Sequence, residues 1–114
     1  MFTVARGDSI RQAMEKITRN IHRVVVVLDG RRVVGTVSDG DIRRALLREV
    51  MLIAPVEKIM NVNCRVTRES DPVRQREALL REKTTVLPVV DPAGDLVDVV
   101  LAYEPSFGSA DAEE

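Results

Sequence analysis

Apolar residues fall along this chain in two different periods. Ile10, Ala13, Met14 and Ile17 recur at i, i+3, i+4 and i+7, which predicts an amphipathic helix. Asp8 or Ser9 suits its N-cap, and Asn20 closes it. Before it, Phe2 to Val4 reads as a short strand. The run Val24 to Leu28 is almost wholly β-branched and predicts a buried strand. Asp29-Gly30 supplies a turn, and Val33 to Val37 returns as the hairpin partner. Ser38-Asp39-Gly40-Asp41 then breaks the strand and caps a helix carrying Ile42, Ala45 and Leu46, with Val50 at its far end. The unit is strand, helix, strand, strand, helix.

The pattern then repeats. RVVVVLDGRRVVGTVSDGDI at positions 23 to 42 returns as VLPVVDPAGDLVDVVLAYE at 86 to 104. In both, an apolar run ends at Asp, crosses a glycine-containing turn and resumes. Between the copies, Pro55 suits a helix first turn, and Val56, Ile59 and Met60 form a one-turn apolar patch. The second copy is expected to open with a strand from Asn63 through Val66. Ser70-Asp71-Pro72 then starts a helix with Val73, Ala78, Leu79 and Leu80, where Arg76 and Glu77 interrupt the stripe. Val86 to Val90, the turn Asp91-Pro92-Ala93-Gly94 and Leu96 to Leu101 form its hairpin. The expected organisation is unit 1 at 1–54, a connector at 55–62 and unit 2 at 63–105 with its final helix short or missing. Residues 106–114, small and acidic, are expected to be a disordered tail. Each copy is too short for a good core of its own, so the two should pack together as one α+β body.

Composition narrows the function classes. Net charge is -1 over 114 residues, with basic and acidic side chains interspersed, so no basic field draws nucleic acid or an anionic membrane. Aromatics make up 3%, too few for base-stacking platforms. Cys64 is the only cysteine, which excludes an internal disulfide and a cysteine-based zinc site. No metal-ligand spacing occurs elsewhere. The longest apolar stretch is far too short to cross a bilayer, and no secretory signal is visible at the N-terminus. The expected location is cytoplasmic.

Ser38-x-x-Asp41 is the sharpest polar constellation. It lies where a strand ends and a helix begins, beside free backbone N–H groups. A carboxylate there can accept from a vicinal diol such as a ribose, Ser38 can bond a phosphate or hydroxyl, and Arg43 or Arg44 can neutralise phosphate charge. The plainer reading is that Ser38, Asp39 or Asp41 caps the helix. The two readings are compatible. Catalytic readings fail: GTVSDG has Thr36 where a nucleophile elbow needs its first glycine, and the sequence identifies no triad acid for His22, which reads as a strand-flanking surface residue. No phosphate-cradling P-loop or G-x-G-x-x-G turn is present. Cys64 reads as a small buried apolar residue beside a strand.

The duplicated motif, the connector PVEKIM and LPVVDPAGDLVDVV together resemble a tandem pair of cystathionine-β-synthase (CBS) domains, a Bateman module, over about Phe2 to Pro105. The resemblance implies two β-α-β-β-α repeats about a pseudo-twofold axis, a homodimer and no catalytic residues. It implies no cofactor, but an adenine nucleotide as regulatory ligand. Asp41 would take the ribose hydroxyls and Ser38 would lie near the phosphate. Thr36 and Arg44 would stand beside them, and Val4, Val24 and Val26 would form the base pocket. In the second repeat Leu101 and Glu104 replace the Ser and Asp, which implies a degenerate second site. TVSDGDIRRALL, PVEKIMNVN and Val97-Asp98 look like the CBS pair that precedes sugar-phosphate nucleotidyltransferases, so a fused or partner catalytic domain of that kind is expected. A structural dimerisation module with no small ligand is the competing reading.

Overall fold

The computed structural model describes residues 2–102. Nine elements follow one another: β1 (Thr3–Ala5), α1 (Ile10–Arg19), β2 (Val24–Asp29), β3 (Arg32–Ser38), α2 (Asp39–Leu47), a 3-10 turn (Val56–Lys58), α3 (Pro72–Glu82), β4 (Val86–Val90) and β5 (Leu96–Leu101). The first sheet has the order β1-β2-β3, with β1 parallel and β3 antiparallel to β2. The second is the antiparallel pair β4-β5. This is the expected α+β scaffold.

Local chemistry explains the element ends. Ser9 caps α1 in a reciprocal box with Gln12. Asp71 caps α3, with Pro72 at its first position. The β2-β3 turn uses Gly30 at φ 64, and the β4-β5 turn uses Gly94 at φ 93, conformations that glycine adopts without Cβ strain. α2 stops at Leu47, short of Val50, where the pattern suggested continuation. Glu49 turns left-handed at φ 64, and the Val50 N–H reaches back to the Ala45 carbonyl at 3.0 Å.

The first core lies on one face of the three-stranded sheet. Ile10, Ala13 and Ile17 of α1 and Ile42 and Ala45 of α2 pack on Val4, Val25, Val27 and Val37. Leu46 is not part of it and is 44% exposed. The connector joins this core: Val56 is fully buried in it, with Ile59 and Met60 packed alongside. The second core is smaller and gathers Ala78, Leu79 and Leu87, with Val100 and Ala102 against it. Val73 and Leu80, placed on the helix stripe by sequence, are 65% and 70% exposed.

The strand expected from Asn63 to Val66 does not form. Just beyond it, Thr67 makes an isolated parallel bridge to Val89. Arg65 and Glu69, with a half-exposed Val66, offer too little apolar alternation to hold a third strand. The two halves are instead joined at their hairpin tips, where the Leu96 N–H donates to the Arg31 carbonyl at 2.8 Å and Val33 N–H to Gly94 at 3.1 Å. Glu104, the expected tail at 106–114 and any final helix lie outside the described residues.

Candidate functional site

Strand alternation decides which side chains reach the cleft. Val25 and Val37 are paired across β2-β3 and face the helices. Their neighbours Val24, Thr36 and Ser38 therefore face the other way. A cleft of ≈ 380 Å³ opens there, lined by Val24, Thr36, Ser38, Asp41 and Arg44 from the first unit. Asn61 of the connector and Asn63, Cys64, Arg65, Thr84 and Val86 of the second unit close it. That volume is within the range of small-molecule sites.

The polar wall is built on the start of α2. Ser38 Oγ accepts from the Asp41 N–H at 3.1 Å, and Asp41 Oδ2 accepts from the Ser38 N–H at 2.9 Å and its hydroxyl at 3.0 Å. This reciprocal box satisfies two helix-start donors and locks the carboxylate rotamer. Capping and presentation to the cleft are thus one arrangement. Arg44, one turn on, donates Nη2 to Asp41 Oδ1 at 2.6 Å. On the opposite wall Arg65 Nε stands 3.4 Å from Glu82. Burial pushes the Cys64 thiol above its ordinary pKa, more than its backbone hydrogen bond lowers it. Half-buried on the cleft wall, it is less enclosed than the sequence pattern implied.

Five of the seven residues proposed for the ligand, Thr36, Ser38, Asp41, Arg44 and Val24, thus converge on one cleft. Val4 does not. Its register with Val27 turns it into the helix-packed core, on the sheet's other face. Val26 is fully buried and does not line the cleft. His22 is also buried, 5% exposed, with its ring edge-on to Phe2 at 5.7 Å, so it is no surface residue. Leu101 borders a separate groove of ≈ 210 Å³ with Pro72, Gln75 and Arg76. Asn61, Asn63, Arg65 and Thr84 were missed by sequence reasoning. Val86 could have been found, because aligning the repeats places it on Val24.

The fold is similar to solved structures of CBS-domain proteins. Residues 1–48, within the first unit, match the family model of the CBS domain. The whole fold superposes on a CBS domain protein from Pyrobaculum aerophilum complexed with AMP, at TM-score 0.68 and 26% identity, covering 95% of this chain and 88% of that one. A CBS domain protein from Streptococcus pneumoniae matches at TM-score 0.72 and 18% identity, over 87% and 68% of the two chains. Among curated proteins, the arabinose 5-phosphate isomerase GutQ of Escherichia coli is 34% identical over 99 residues, 85% of this chain. The chain spans about a third of the length of the curated relatives it matches, 31% of that isomerase. Those relatives are isomerases, where the sequence motifs pointed to a nucleotidyltransferase. Among the described residues, no helix is long and apolar enough to cross a membrane.

Proposed function

We propose that this chain is a non-catalytic regulatory module that binds an adenine nucleotide in the first-unit cleft and controls a sugar-phosphate enzyme. The observation that carries the reading is the convergence of Ser38, Asp41 and Arg44 on a cleft completed by the connector and second unit. The Asp41 carboxylate can accept from a ribose diol, Val24 and Val86 provide apolar walls, and Arg44 and Arg65 provide cations. Binding of AMP by the Pyrobaculum relative supports adenine over other bases. The GutQ likeness favours a sugar-phosphate isomerase as the controlled domain over a nucleotidyltransferase.

Self-association belongs to the same reading. Leu47, Met51 and Ile53 are 80%, 71% and 81% exposed at and beyond the end of α2, an apolar surface suited to a second copy. A scaffold without a ligand would account for the Ser38–Asp41 cap but not for the cleft that gathers Arg44 and Arg65 beside it. Calorimetric titration with AMP, ADP, ATP and S-adenosylmethionine tests the proposal. One ligand should bind saturably, and Asp41→Asn, which keeps a capping oxygen but loses the charge, should weaken it at least about tenfold. Ligand should also slow alkylation of Cys64. No heat and no thermal stabilisation at millimolar ligand would leave the scaffold reading in place.

A further inference from the structure

Within the chain itself Asp41 is already engaged. Its Oδ2 holds the Ser38 N–H and hydroxyl, and its Oδ1 holds the Arg44 guanidinium at 2.6 Å. A carboxylate has about four acceptor positions, so these three partners leave about one. A ribose diol brings two donors. The Ser38 N–H belongs to the helix cap and leaves only if the cap breaks, and the Ser38 hydroxyl stays beside Oδ2 because its oxygen accepts from the Asp41 N–H. Arg44 can leave freely: its side chain is 67% exposed against 18% for Asp41, and the pair lies at i,i+3 on one helix. Gly40 gives it room, since a Cβ there would stand only 3.3 Å from Arg44 Nη1.

We propose that Arg44 is the specificity-determining residue of the cleft, holding Asp41 against unphosphorylated nucleosides and yielding it to ligands whose phosphate takes up the guanidinium. The inference rests on the adenine-nucleotide reading above. A bare nucleoside must displace Arg44 and leave it with water alone. A nucleotide displaces it onto a phosphate oxygen pair, where the planar fork makes two charge-assisted bonds. One side chain therefore penalises the first ligand and rewards the second. A cation that merely adds attraction would leave nucleoside binding unchanged when removed.

The test is calorimetric titration of adenosine and of AMP into the full chain and into Arg44→Gln, Arg44→Ala and Asp41→Asn, with far-UV melts confirming that each variant is folded. Removing the guanidinium should tighten adenosine by about two- to fivefold, the range of a partly exposed ion pair. It should weaken AMP by about tenfold, as expected for a lost charge-assisted contact. The opposite signs are the signature. If both Arg44 variants leave adenosine unchanged or weaken it, the inference is overturned while the nucleotide reading stands. If wild type binds neither ligand, or Asp41→Asn leaves both affinities unchanged, the nucleotide reading fails and the inference with it.

Discussion

Asn20 shows how one buried amide sets the approach to the cleft. It is 5% exposed; its Oδ1 accepts from the backbone N–H of His22 at 3.1 Å and of Arg23 at 2.7 Å. Its Nδ2 donates to the carbonyls of Lys16 and Val24 at 3.3 and 3.4 Å. That bracing holds Arg23 at φ 59, and the Arg23 carbonyl receives the Asp39 N–H where α2 begins. Asn20→Ala should therefore lower stability by about 1–3 kcal/mol through two stranded backbone donors. The urea midpoint should fall with an unchanged slope, and Asn20→Asp, which keeps the acceptor, should lose less. Sequence showed Asn20 only as a helix stop, because its partners depend on a left-handed residue that no pattern marks. Ser38 and Asp41 were legible for the opposite reason: a capping box closes within four consecutive residues and needs no knowledge of the rest of the fold.

At the scale of elements, the connector is bound to β3 as an extra edge. Asn61 N–H donates to the Thr36 carbonyl at 2.8 Å, and Thr36 N–H returns the bond at 3.2 Å. Gly35 makes that approach feasible, since a Cβ there would meet the Asn61 carbonyl oxygen and Met60 Sδ, each at 2.9 Å. Backbone cannot swing aside as a flexible side chain can, so Gly35→Ala should push the connector off the strand. A stability loss of about 1–3 kcal/mol is expected in a thermal melt. AMP affinity should fall too, because Thr36 and Asn61 both line the cleft. Helices and hairpins were readable from periodicity, whereas this pairing was not. The connector sequence shows an apolar turn, and nothing in PVEKIM says that the residue after it lies along β3. The failed strand at Asn63 to Val66 has the same origin, since a strand needs a partner as well as a composition.

For the whole molecule, duplication is visible in sequence but equality is not kept in space. The first unit has three strands, two helices and a core that includes the connector's Val56; among the described residues the second has two strands and one helix. Native-state hydrogen exchange should show β4-β5 amides opening at lower free energy than those of β2-β3. Equal protection in both hairpins would mean that the halves unfold only together. The joined hairpin tips carry a different consequence. β3 is the outer strand of its sheet, and an unpaired outer strand rich in valine invites strands from other chains. Here the Val33 N–H is taken by Gly94, and both backbone groups of Thr36 are taken by Asn61. The second half and the connector thus act as a guard against aggregation, and cutting the chain after α2 would uncover that edge.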